Sequence, residues 1–87
     1  MNPRAYTKKP VTIKALQLIP ATFQAVVEWI GLENLAGFDR EELTIRIKTL
    51  EGVMEAGLND FIIQGVKGEF YPCKPDIFAL SYDEVQL

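Results

Sequence analysis

Apolar and polar residues alternate over 10–18, where Val11, Ile13 and Ala15 take turns with Thr12 and Lys14. That is the period-2 pattern of a half-buried strand with Val11, Ile13 and Ala15 facing inward. Pro20 closes the run, and Thr22 is placed to cap a helix by accepting a hydrogen bond from a first-turn amide. Phe23, Val26, Val27 and Ile30 fall at i, i+3, i+4 and i+7 and predict one apolar stripe on a helix over 22–30. Gly31 stops it. Residues 32–42 have no clear period, so they read as an irregular connection with Leu35 and Phe38 turned inward. Leu43, Ile45 and Ile47 then alternate with Thr44, Arg46 and Lys48, which predicts a second strand. Glu51-Gly52 signals a tight turn into a return strand over 53–58.

Asn59-Asp60 makes the next turn, and Phe61–Gln64 is a short apolar strand. Gly65-Val66-Lys67-Gly68 turns the chain into an aromatic strand beginning at Glu69. Pro72 has no amide to donate and belongs at a strand end or edge. Pro75 and Asp76 open a last helical turn, from which Ile77, Phe78 and Leu80 fold back onto the sheet. Residues 82–87 read as a closing edge strand. The fold expected is therefore one α+β domain spanning 1–87, with 1–9 a basic, partly flexible lead-in. Its antiparallel sheet of about four to six strands packs on one helix, with a short C-terminal helical turn. Phe23, Val26, Val27, Ile30, Ile45, Ile47, Ile63, Phe70, Ile77 and Phe78 are the expected core.

Composition changes the picture mainly by exclusion. With 87 residues there is room for one core. No apolar run approaches the roughly 20 residues of a bilayer-spanning helix, and the start lacks a secretory apolar region. Both features point to the cytoplasm. The chain has no histidine and one cysteine. Without imidazole there is no Ser-His-Asp or Cys-His pair and no His-based zinc site. No catalytic residue, cofactor site or metal site is assigned. Charge is uneven: residues 1–14 hold Arg4, Lys8, Lys9 and Lys14 and no acid, while the rest holds all 12 acids against five bases. The acidic body argues against general binding to duplex DNA. Four charges near a terminus more often form a solvated lead-in than a nucleic-acid arm.

Several residues invite a functional reading. Pro72, Pro75 and Lys74 surround Cys73, a setting that would lower a thiol pKa, although a lone cysteine is more often a small buried hydrophobe. Asp39-Arg40-Glu41-Glu42 reads as a solvated turn rather than a cation site. Lys67–Tyr71 shows a weak likeness to the aromatic signature of RNA-binding sheets, but Glu69 would place negative charge where a phosphate approaches. Lys14, Arg46 and Lys48 form a better basic binding face if their strands align. Trp29 is either an anchor beside that face or, more often for such a tryptophan, the seal at the edge of a small core. Gly65, Gly68, Pro72 and Pro75 make up a structural turn motif.

Lys8-Lys9-Pro10-Val11-Thr12-Ile13-Lys14-Ala15, Leu50-Glu51-Gly52 and the run Gly65-Val66-Lys67-Gly68-Glu69-Phe70-Tyr71-Pro72-Cys73-Lys74-Pro75-Asp76-Ile77-Phe78 carry a resemblance. They are similar to a group of small uncharacterised proteins of tailed bacteriophages and prophages. The chain departs from that group at Leu58-Asn59-Asp60, where a Pro-Gly-Asp or Gly-Asp turn is usual. The resemblance implies a phage or prophage origin and transfers no activity or site. The expectation is a non-enzymatic accessory protein that binds a bacterial host or phage protein, in host takeover or evasion of host defences. The competing expectation is a nucleotide or single-stranded nucleic-acid binder using the Lys14, Arg46 and Lys48 face. A homodimer is also expected, with Leu16, Leu18 and Trp29 as apolar side chains left over for a symmetry mate.

Overall fold

Ile45 and Ile47 are completely buried while Arg46 and Lys48 between them are exposed, so the cleanest alternation in the sequence is a strand with one face in the core. The computed structural model describes residues 1–85. Six strands and two helices follow one another: β1 Lys14–Gln17, α1 Phe23–Ile30, β2 Leu35–Asp39, β3 Thr44–Thr49, β4 Gly52–Ala56, β5 Phe61–Gln64, β6 Phe70–Cys73 and α2 Pro75–Ser81. Short 3-10 turns at Pro20–Thr22 and Leu32–Asn34 flank α1. The result is a small α+β domain, as the patterning predicts. The strands divide into two antiparallel three-stranded sheets, ordered β1-β5-β6 and β2-β3-β4. The β6 strand lies against β3 and β4, and α1 covers the shared core.

Phe23, Val26, Val27 and Ile30 of α1 are buried as their spacing predicts. Gly31 ends the helix at φ 82°, its amide donating to the Val27 carbonyl. Thr22 is placed differently from the expectation. Its hydroxyl accepts from the Ile19 amide (3.0 Å) and donates to the Gln17 carbonyl (2.6 Å), so it closes the 3-10 turn and does not cap α1.

The phase of β1 is also the reverse of the expectation. Leu18 is fully buried and Leu16 packs on the core, whereas Ala15 and Val11 are exposed. Regular pairing starts only at Lys14. A leucine buries far more apolar surface than an alanine, so Leu16 and Leu18 decide which face turns inward. Leu18 therefore cannot serve a dimer surface. Leu16 and Trp29 likewise pack against the core, with Trp29 edge-on to Phe70 at 5.1 Å between ring centroids.

The segment expected to be irregular contains β2. It pairs with β3 through a register shift between Leu35 and Gly37. Leu35 is buried and Phe38 is exposed, though its ring meets Phe23 edge-on at 6.0 Å. A side chain at Gly37 would collide with the Arg46 guanidinium, so the glycine lets Arg46 lie across β2. Asn59 takes φ 74°, a left-handed conformation asparagine tolerates. The C-terminal part departs most from the expected core. Phe78 stacks on Phe61 at 3.9 Å, but Ile77 is 53% exposed and Leu80 88%. Neither is core, because α2 has only seven residues and no buried position. Residues 83–85 are not in a strand, and 86 and 87 lie outside the described residues.

Candidate functional site

The β3–β4 hairpin carries an unusual share of exposed apolar surface. Its antiparallel register sets Arg46 opposite Glu55, Ile47 opposite Met54, and Lys48 opposite Val53. Side chains alternate across a sheet, so Arg46, Lys48, Val53 and Glu55 share the outer face and Met54 turns towards the core side. Leu50, at the tip, is 94% exposed, Val53 60% and Met54 38%. The tip is nonetheless well built. The Thr49 hydroxyl donates to the Gly52 carbonyl (2.6 Å) and accepts from the Glu51 amide (3.1 Å), while Gly52 supplies φ 102°. Beside it a groove of about 340 Å³ runs between the sheets, with Leu50, Met54, Phe70 and Tyr71 on its walls.

A second, larger cleft of about 890 Å³ lies on the opposite face of the first sheet, floored by Ile63, Tyr71 and Cys73. One wall is the segment before β1, with Lys8, Lys9, Val11 and Ile13; the other is α2 and its exit, with Ile77, Tyr82 and Asp83. Burial and its phenol neighbour Tyr82 push the Tyr71 hydroxyl up to about 12. Burial, then Asp60 and Asp76, push the Cys73 thiol up as well. The shift opposes the lowering that Lys74 and the flanking prolines suggest, because burial first, and then the two carboxylates, disfavour a further anion there.

The predicted basic face is not assembled on one sheet. Lys14 pairs with Gln64 in the first sheet, while Arg46 and Lys48 stand on β3 of the second. Trp29 packs inward on Phe70. In the turn motif, the Gly65 amide donates to the Glu69 carbonyl (2.8 Å) and the Gly68 amide to the Gly65 carbonyl (3.0 Å), with Gly68 at φ 82°. Gly65 has a different use: a Cβ there would clash with the Glu69 carboxylate. Pro72 sits in β6, an edge strand of its sheet, and Pro75 opens α2. Asp39 accepts from the Glu41 and Glu42 amides, so its carboxylate orders the turn. Arg40 spans the Phe23 and Phe38 rings, 5.5 Å from each centroid, and bonds Gln24.

Sequence reasoning missed Asp60. It is only 3% exposed, and its carboxylate accepts from the Gly57 amide (2.8 Å) and the Lys74 ammonium (3.1 and 3.3 Å). The turn it occupies is tied to the end of β1: the Leu18 amide donates to the Asp60 carbonyl and the Asn59 amide to the Leu18 carbonyl. Among the described residues no helix is long and apolar enough to cross a membrane. Comparison with protein-family models, curated proteins and solved structures found no match.

Proposed function

We propose that this chain is a non-enzymatic accessory protein of phage or prophage origin that binds a protein of the bacterial host or of the phage. Its place of action is the host cytoplasm, in host takeover or evasion of host defences. The observation that carries this reading is the apolar hairpin. Leu50, Val53 and Met54 are exposed on a rigid, fully registered two-strand element beside an apolar groove. Exposed apolar side chains at the tip and on both faces of the hairpin, set among the polar residues Lys48, Glu51 and Glu55, are the kind of surface a protein partner covers. The origin rests on the sequence pattern described above. A preordered hairpin loses little conformational entropy on docking, which favours recognition of a folded partner.

Affinity capture from phage-infected bacteria tests the reading, comparing the natural chain with Leu50→Asp and Val53→Asp. The expected result is one stoichiometric protein retained by the natural chain and lost by both variants. No such protein across several hosts, or retention unchanged by both substitutions, rejects it. Titration with short RNA, single-stranded DNA and nucleotides at two salt concentrations tests the competing reading. Tight, steeply salt-dependent binding abolished by Arg46→Ala and Lys48→Ala would replace the protein-binding proposal.

A further inference from the structure

The segment preceding β1 behaves unlike the rest of the molecule. Residues 1–12 are all exposed, and among the described residues none of 1–13 makes a hydrogen bond or ion pair with the body. The radius of gyration is 14.6 Å, with principal extents of 52, 31 and 21 Å. A compact chain of this length would have a radius near 12 Å. The excess fits an arm standing off the body. Residues 1–7, at roughly 3.3 Å each, give it a reach of about 23 Å.

Charge says what such an arm meets. Residues 1–14 carry four bases and no acid, against 12 acids and five bases in the rest of the chain. In the cleft on the first sheet, the wall belonging to the arm's own root is basic, through Lys8 and Lys9, and the facing wall ends in Asp83. Its floor offers aromatic contact at Tyr71. A surface with a basic wall and an acidic wall is self-complementary under a two-fold axis, because each wall then meets its opposite twice. The arm also carries one aromatic ring, Tyr6, which is 88% exposed and has no contact of its own among the aromatic pairs.

From this we infer that the protein forms a two-fold dimer by exchanging its N-terminal arms. Residues 3–6 of each copy lie in the first-sheet cleft of the other, with Arg4 paired to Asp83 and the Tyr6 ring against Tyr71 and Tyr82. A volume of about 890 Å³ accommodates a short extended segment. The cleft lies on the other face of the first sheet from the β3–β4 hairpin and shares only Glu69 and Tyr71 with its groove, and substitutions in the arm leave the hairpin untouched, so the two proposals are tested separately.

Sedimentation of the full chain between micromolar and submillimolar concentration tests it, in low and in high salt. The mass is expected to rise from 9.8 kDa towards twice that value, with weaker association at high salt. Arg4→Glu and Tyr6→Ser, both on the exposed arm and harmless to folding, should each raise the dissociation constant at least tenfold. Arg4→Glu combined with Asp83→Arg should restore it. A mass fixed at 9.8 kDa throughout overturns the inference, as does a dimer indifferent to Arg4→Glu and Tyr6→Ser, or a charge reversal without rescue.

Discussion

Replacing Asp60 by alanine removes a buried carboxylate that holds two groups at once. Its hydrogen bond to the Gly57 amide lies in a partly buried turn, and losing it leaves that donor unsatisfied, at about 1–2 kcal/mol. The charge-assisted contact from Lys74 contributes less than a fully buried ion pair would. The lysine side chain is 69% exposed and regains water when released, so about 1 kcal/mol is appropriate. The same turn anchors the end of β1 through two backbone hydrogen bonds to Leu18, so any loosening reaches the core. Asp60→Ala should therefore cost about 2–4 kcal/mol. At roughly 4–8 °C per kcal/mol for a domain of this size, the melting temperature should fall by about 8–32 °C. Lys74→Ala strands the carboxylate without its counter-ion but leaves the Gly57 bond, and should cost about 1–2 kcal/mol. Asp60→Asn keeps an acceptor for the Gly57 amide and should fall between the two. Urea unfolding of the three variants and of the double mutant gives the values, and the cycle should yield a coupling of about 1 kcal/mol. The reasoning is refuted if Asp60→Ala costs under about 0.5 kcal/mol, or if Lys74→Ala costs more than Asp60→Ala.

Trp29→Ala removes the ring packed edge-on against Phe70 and should cost about 2–3 kcal/mol in urea unfolding, below a fully buried tryptophan because Trp29 is only half-buried. A loss under about 0.5 kcal/mol would mean that Trp29 is a surface anchor after all. Burial, Asp60 and Asp76 raise the Cys73 thiol, so iodoacetamide should modify it more slowly at pH 8 than the unfolded chain in urea, with the rate rising at higher pH in the fold; the opposite order refutes the placement. Tyr71 stays protonated in the fold up to about 12, whereas in the unfolded chain it ionises near 10. The unfolded state then binds fewer protons, so stability is complete below pH 10 and falls as the pH rises towards 12. Ultraviolet titration of wild type against Tyr71→Phe should show the late phenol, and the variant should lose that part of the alkaline destabilisation.

The elements legible in the sequence are those whose burial follows a local period. The α1 stripe and the β3 alternation each state their own inner face, and the structure buries Val26, Val27, Ile45 and Ile47 accordingly. Strand β2 could not be read this way, because Gly37 and Asp39 break the pattern and its pairing is supplied by β3, with a register shift. The inner face of β1 was hidden for a related reason: Val11–Leu18 alternates in one phase at its start and another at its end, and the larger apolar burial at Leu16 and Leu18 chooses between them. Asp60 had no local signal at all, since its counter-ion is 14 residues away in sequence. The hairpin did leave a trace. Val53 and Met54 are consecutive apolar residues in a strand, so one of them has to face away from the core. Their partners Lys48 and Ile47 show that it is Val53.

The two surfaces differ in how firmly the chain holds them. The hairpin is fixed by five registered pairs, and the inner residues Ile45, Ile47 and Ala56 of its strands are completely buried. The walls of the first-sheet cleft are held far more lightly. One is the arm root, which has no hydrogen bond to the body among the described residues, and the other is α2. That helix has no buried residue and rests on the Phe61–Phe78 stack and the Lys74–Asp60 pair at its root. Elements with few buried contacts open at low free energy, so α2 should exchange its amide protons well before α1 or β3. The cleft floor does not share this softness, because Ile63 belongs to the central strand β5 and is buried. A fixed floor between yielding walls lets a segment enter from the side without unfolding the domain. The hairpin, with no such freedom, presents a preformed surface.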